Sequence, residues 1–212
     1  MTTIADIRGR VRKDLHDEDS SAYRWTDAVL DRHITRTVSE YSLHAPLEQK
    51  SALTSTPGSR DLSIASLADL VAVEAAEWPV GQFPIARAGF SLWGATITLD
   101  VPSPPAGAES VNVYWLKLHT LDGSGSTLPA LHEDLVATGA AAYAALDWTS
   151  FSANRINTGG DDVWGRYKAF GEERLRDFRA GLYRAGRANA VRLRRLYATD
   201  ASAASRQDLV SW

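Results

Sequence analysis

The chain has 212 residues, of which 44% are apolar, with seven tryptophans and no cysteine. That supplies one large packed domain, or a core domain with an insert, and excludes disulfide scaffolds, thiolate metal sites and cysteine nucleophiles. Net charge is only −3, yet residues 1–162 hold 12 Lys/Arg against 21 Asp/Glu (net −9) and residues 163–212 hold 11 against 5 (net +6). Such asymmetry fits pairing within or between subunits, contact with nucleic acid, or simple solvation. The opening MTTIADIRGRVRKDLHDEDS is charged throughout and has no signal-peptide core. No run approaches the ~18 apolar residues that span a bilayer. The expectation is a soluble, cytosolic protein.

A first helix is expected from Ile4 to about His16, capped by Thr3 with Asp6 three residues on. Ile4, Ile7, Val11 and Leu15 give it one apolar stripe. A second helix starts at the cap Thr26, with Trp25 and Leu30 placed as a hydrophobic staple. Leu30, Ile34, Val38 and Tyr41 mark its buried face, and Pro46 stops it. Both helices are short and one-faced, so they need a packing partner.

From about Glu48 the period changes. Gln49–Ser55, Asp61–Ile64, Val71–Glu77, Phe90–Asp100 and Val111–His119 read as strands, separated by the breaks TPGSR, PVGQFP and PSPPAGAES. Ser66–Leu70 reads alternatively as a short helical turn. A small antiparallel sheet or sandwich is expected between the second and third helices.

A third helix spans about Pro129 to Ser152, with Pro129 in its first turn, Glu133 and Asp134 near its start, and Leu128, Leu131, Leu135, Ala142 and Leu146 as its stripe. Its small-residue run GAAAYAAL, which includes Gly139, Ala142 and Tyr143, lets another helix come close. It is either close-packed core or a contact seam between subunits. A fourth helix begins near Asp161 or Asp162 and runs to about Tyr197, ~50 Å if unbroken. Its apolar face is Trp164, Tyr167, Leu175, Phe178, Leu182, Leu193 and Leu196. Gly165, Gly171, Gly181 and Gly186 each weaken it by up to ~1 kcal/mol, which allows a kink or a break near Gly186. The basic run GRANAVRLRRLY suits a helix C-terminus. The tail ATDASAASRQDLVSW ends in Leu209, Val210 and Trp212, and reads as a frayed end or as a tethered apolar hook that orders on a partner. The resulting division is a helical core domain (1–47 and 123–197), a β-rich insert (48–122) and a flexible C-terminal tail (198–212).

Catalytic motifs are missing. No pair among His16, His33, His44, His119 and His132 has HExxH spacing, and there is no phosphate loop, GxGxxG or GxSxG. Asp122–Thr127 (DGSGST) precedes a helix but lacks the lysine of a phosphate loop, so a strand-to-helix linker is expected. Asp161 and Asp162 read as charge at a helix N-terminus. The basic residues of the fourth helix spread around it, interrupted by Glu172, Glu173 and Asp177, unlike a helix built to read DNA. No enzyme, metal or cofactor is expected.

Three stretches resemble the head–tail adaptor (connector, head-completion) proteins of tailed bacteriophages. They are IADIRGRVRKDL with YRWTDAVLDRHITRTVSEYS, then SPPAGAESVNVYWLKLHTLDGSGSTLPALHEDLVATGAAAYAAL, then the long helix with its tail. The elements in chain order give an α+β fold: a bundle of about four helices, a small antiparallel β insert between helices two and three, a long C-terminal helix and an extended tail; that insert is larger than in minimal, purely helical adaptors. The resemblance implies a ring, usually of twelve copies, below the portal protein, in the virion after assembly in the host cytoplasm. Such a ring extends the DNA channel and binds the tail, or a stopper or tail-completion protein. Double-stranded DNA would pass through it without sequence-specific contact, and no membrane is involved. By position, Leu209, Val210 and Trp212 would touch the portal.

A ring subunit also needs two dissimilar surfaces that meet head to tail. An acidic body and a basic arm supply them, which makes Gly139, Ala142, Tyr143, Arg184, Arg187, Arg192, Arg194 and Arg195 candidate subunit contacts. The competing readings are another neck or tail-completion protein, a nucleic-acid-binding module using the basic helix, and an enzyme with an unrecognised site.

Overall fold

In the computed structural model, which describes residues 2–152 and 163–197, four α-helices and six strands follow one another as α1, α2, β1–β6, α3, α4, an α+β fold. Helix α1 (Ile4–Asp14) opens on a capping box: Thr3 Oγ1 accepts from the Asp6 amide, and the Asp6 carboxylate accepts from the Thr3 amide. Helix α2 (Asp27–His44) opens on Thr26, whose hydroxyl accepts from the Val29 amide. Arg12 ties the two helices together. Its guanidinium donates to Asp17 and Asp27, each at 2.6 Å, and to the Trp25 carbonyl at 3.0 Å. Arg12 and Asp17 are both buried, so each neutralises a charge that could not otherwise stay there.

Strands β1 (Leu47–Thr54), β2 (Asp61–Ser63), β3 (Leu70–Glu77), β4 (Arg87–Trp93), β5 (Thr96–Asp100) and β6 (Ser110–Lys117) form one antiparallel sheet, in the order β1-β6-β3-β4-β5-β2. The segment expected as one strand from Phe90 to Asp100 is instead a hairpin. Gly94 takes a positive φ of 57°, which a two-residue turn requires and glycine supplies without strain, and Trp93 then pairs with Thr96. The 66–70 region forms turns and no helix. β1 pairs β6 along its whole length, but β3 meets β4 only at Ala76–Ala88 and Glu77–Arg87. Leu62, Ile97 and Leu99 from one half share a core with Val111, Val113 and Trp115 from the other.

A second, separate core lies among the helices. Helix α3 (Glu133–Ser152) is its centre. Val136, Ala137, Ala140, Ala141, Ala144 and Ala145 are all buried, so the middle of the helix is enclosed by α1, α2 and α4 (Val163–Tyr197), while Asp134 and Asp147 near its ends are exposed. The helix starts later than expected, because Ala130–His132 form a 3-10 turn. That tighter winding moves Leu131 off the buried stripe, and it is 86% exposed. Trp164, expected on the apolar face of α4, is half exposed, whereas Phe178 and Leu182 are buried as expected. No break occurs at Gly186.

Between the cores, the buried His119 joins the exit of β6 to the end of α2. Its Nε2 lies 3.0 Å from the Ala45 carbonyl, and its Nδ1 lies 2.9 Å from the Thr127 carbonyl and 3.2 Å from the Thr127 hydroxyl. Its amide donates to Ser42 Oγ. The Asp122–Thr127 segment is a closed turn: Asp122 Oδ1 accepts from the amides of Ser124 and Gly125, and the Asp122 carbonyl accepts from Ile4. The Ser124 and Gly125 amides are thus occupied from within and are not open to an anion.

Candidate interaction surfaces

The small-residue run of α3 is filled from inside the chain. A Cβ on Gly139 would lie 2.6 Å from Thr37 Cγ2 and 2.9 Å from the Phe178 ring. Gly171 faces Leu146 and the Ala142 carbonyl, Gly181 faces Leu135, and Gly186 faces the His44 carbonyl. Gly171 and Gly181 are therefore contact points on α3 where a Cβ would clash, and Gly186 is a tight approach to the end of α2. Gly139 and Ala142 are buried among these helices, as the close-packed-core reading of this run requires.

Tyr143 is buried too. Its hydroxyl donates to the Glu40 carboxylate at 2.7 Å, the Arg36 guanidinium lies 3.8 Å from its ring centre, and Phe178 meets it edge-on. Burial, with Glu40 beside it, pushes the phenol up to about 12.

The arginines lie elsewhere. Arg184 and Arg187 are exposed on α4, and Arg187 stands 5.8 Å from the Tyr183 ring centre. Gly186 packs on His44, the last residue of α2, yet α4 continues to Tyr197, about eleven residues and ~16 Å further. Arg192, Arg194 and Arg195 are on that extension; their side chains, and Leu209, Val210 and Trp212, lie outside the described residues. So do Asp161 and Asp162.

The insert presents a surface that the sequence reading passed over as a simple break. Between Glu77 and Arg87 the chain WPVGQFPIA carries no charge, and it exposes Val80 (40%), Phe83 (100%) and Ile85 (48%). The available signal was three large apolar residues in a stretch otherwise typical of a turn. The loop is pinned at its base. The Trp78 amide donates to the Ala86 carbonyl, and the Trp78 indole donates to Glu109 at 3.0 Å.

Glu77 completes the anchor. Its buried carboxylate accepts from Asn112 Nδ2 at 2.9 Å, the Tyr114 hydroxyl at 2.7 Å and the Gly81 amide at 3.2 Å, with Lys50 Nζ at 3.6 Å. The hydrogen bonds from Asn112 and Tyr114 outweigh burial and hold this carboxyl down at about 2. At the other end of β4, Leu92 and the 88%-exposed Trp93 form a second apolar tip.

Among the described residues no group of three His, Asp or Glu is placed to hold a metal. His33 is buried with Nε2 3.6 Å from Asp147, and burial pushes its pKa down. His132 Nδ1 pairs with the Tyr41 hydroxyl at 2.6 Å. Each of these histidines is engaged in packing or pairing within the fold. No helix of the described residues is long and apolar enough to cross a membrane.

No family model and no curated protein matches the sequence. Among solved structures, the chain is similar to a chain in the neck of an empty GTA particle computed with C6 symmetry: 16% identity, 82% of this chain and 88% of the other covered, TM-score 0.28. It is also similar to a chain in the neck of a native GTA particle computed with C12 symmetry, at 14% identity over 82% and 92% of the two chains, TM-score 0.28.

Proposed function

We propose that this protein is a structural head–tail adaptor of a phage-like particle, without enzymatic activity, that assembles as a ring of twelve copies on a portal protein. The observation that carries the reading is α4. It completes the helical core and then continues about eleven residues beyond the end of α2, bearing Arg187, Arg192, Arg194 and Arg195. The basic charge gathered at that end of α4 suits contact with an oppositely charged outside surface. The sequence resemblance points the same way, and so do necks as the places from which the similar chains come. In this reading the basic arm and the tail ending in Leu209, Val210 and Trp212 attach to the portal. The ring extends the DNA channel and receives the tail or a stopper protein.

Native mass spectrometry of the protein, alone and mixed with its portal, tests this. A stoichiometric ring on the portal supports the reading. A monomer that ignores the portal and binds DNA with a steep salt dependence overturns it in favour of a nucleic-acid module.

A further inference from the structure

The arginines of the helices fall into two groups. Each arginine of α1 and α2 has a carboxylate within 3.5 Å. Arg179, Arg184 and Arg187 on α4 are exposed, and among the described residues none of them has an ion-pair partner. The acids of that helix, Glu172, Glu173 and Asp177, stand earlier, around Arg176, and no acid follows until Asp200. On the side of α3, Arg179 lies near Tyr143, but the Glu40 carboxylate there is already taken by Arg36 and the Tyr143 hydroxyl.

The three cations share one face. At 3.6 residues per turn, Arg179, Tyr183, Arg187 and Arg184 fall within an arc of ~140°, opposite the buried Phe178, Leu182 and Ala185. From Arg179 to Arg187 the stripe runs ~12 Å. Apart from the arginines, Tyr183 is its one large exposed side chain. A protein partner prefers an apolar centre, and a single nucleic-acid strand prefers a row of rings on which to stack its bases; the stripe has neither. A duplex needs only cations. It carries one phosphate charge per ~1.7 Å of axis, about seven along ~12 Å, and guanidinium forks match phosphate oxygens.

We infer that Arg179, Arg184 and Arg187 form a docking surface for the phosphate backbone of duplex DNA, independent of base sequence. The inference stands on this stripe and does not rest on the ring reading. The stripe ends where the extension of α4 begins.

The test is to titrate the full chain into a labelled DNA duplex and follow fluorescence anisotropy. Three phosphate contacts give a slope of about −2.7 in log affinity against log salt, so binding weakens at least ~40-fold between about 50 and 200 mM salt. Arg179→Gln, Arg184→Gln and Arg187→Gln together should make the slope shallower by about 2.7, whereas lysine at the same three positions keeps the charge and the slope. Circular dichroism melts confirm that each variant is folded.

No binding at the lower salt, or an unchanged slope in the glutamine variant, overturns the stripe. So does a loss confined to an Arg192→Gln, Arg194→Gln, Arg195→Gln variant, which would place the contact on the extension. Polyglutamate that displaces the duplex at equal charge would make the partner an acidic protein, and it too overturns the inference. A failed stripe with rings still forming on the portal leaves the adaptor reading intact. A duplex contact in a protein that ignores its portal supports the stripe and removes the adaptor reading instead.

Discussion

Replacing Gly139 by alanine tests whether the helical core is packed as tightly as the α2–α3–α4 crossing indicates. On helix propensity alone the change should stabilise α3, since glycine is worse than alanine by up to ~1 kcal/mol in a helix interior. The tertiary structure reverses that sign. The new methyl would sit 2.6 Å from Thr37 Cγ2 and 2.9 Å from Phe178. Neither neighbour yields readily. The Thr37 hydroxyl is held by the His33 carbonyl at 2.8 Å, so rotating its methyl away breaks a buried hydrogen bond, and Phe178 is fully buried. Overpacking of this kind costs about 1–3 kcal/mol before the backbone moves further.

Two rigid neighbours place the cost at the upper part of that range, and the net effect is a loss of ~1–2 kcal/mol. At ~2–4 °C per kcal/mol for a chain of this size, the melting temperature falls by ~2–8 °C. Gly9, in the middle of α1 with nothing within 4 Å of its Cβ position, is the internal comparison. Gly9→Ala gains the propensity and meets no clash, so its melting temperature rises by ~2–4 °C. Circular dichroism melts of the three proteins decide the matter. A Gly139→Ala protein as stable as the parent, or shifted upward like Gly9→Ala, refutes the close-packed crossing.

Acid should release the 78–86 loop. The folded carboxyl of Glu77, at about 2, lies below its ordinary 4.5, so its contribution is fully present above that ordinary value and is lost as pH falls from about 4.5 towards 2. The gap corresponds to ~3 kcal/mol. Glu77→Gln should therefore be clearly less stable than the parent at neutral pH and converge with it near pH 2 in urea titrations. A gap that does not vary with pH would contradict the assignment. Arg12→Met should cost ~3–5 kcal/mol by stranding the buried Asp17, and adding Asp17→Asn should recover part of the loss; a strictly additive double mutant would show that the pair is not coupled. Deleting residues 207–212 should leave the melting curve unchanged while weakening capture by the portal in pull-down assays. A truncated protein that aggregates or melts several degrees lower would mean that the tail belongs to its own core.

The features legible in the sequence were those set by neighbours along the chain. Thr3 and Thr26 cap their helices because a hydroxyl reaches an amide three residues on, whatever surrounds it. The stripes Ile7–Val11–Leu15 and Leu30–Ile34–Val38–Tyr41 are buried as their spacing requires. The α+β order followed from the change of period near Glu48. The tertiary structure decided whatever depends on residues far away in the chain. Phe90–Asp100 became two strands because a turn at Gly94 lets β5 pair β4 on one side and β2 on the other. Leu131 left its stripe when the first turn wound as a 3-10 helix.

The candidate surfaces divide the same way. Charge and length already marked α4 as a basic arm, since both are sums over sequence. Whether Gly139, Gly171 and Gly181 face another subunit or their own core could not be read from spacing, because helical period identifies a face and not what covers it. Nor could the display of Phe83. An apolar residue in a turn is buried or exposed according to what packs over it, and here Glu77, 35 residues from Asn112 in sequence but 2.9 Å from it in space, holds the loop where nothing does.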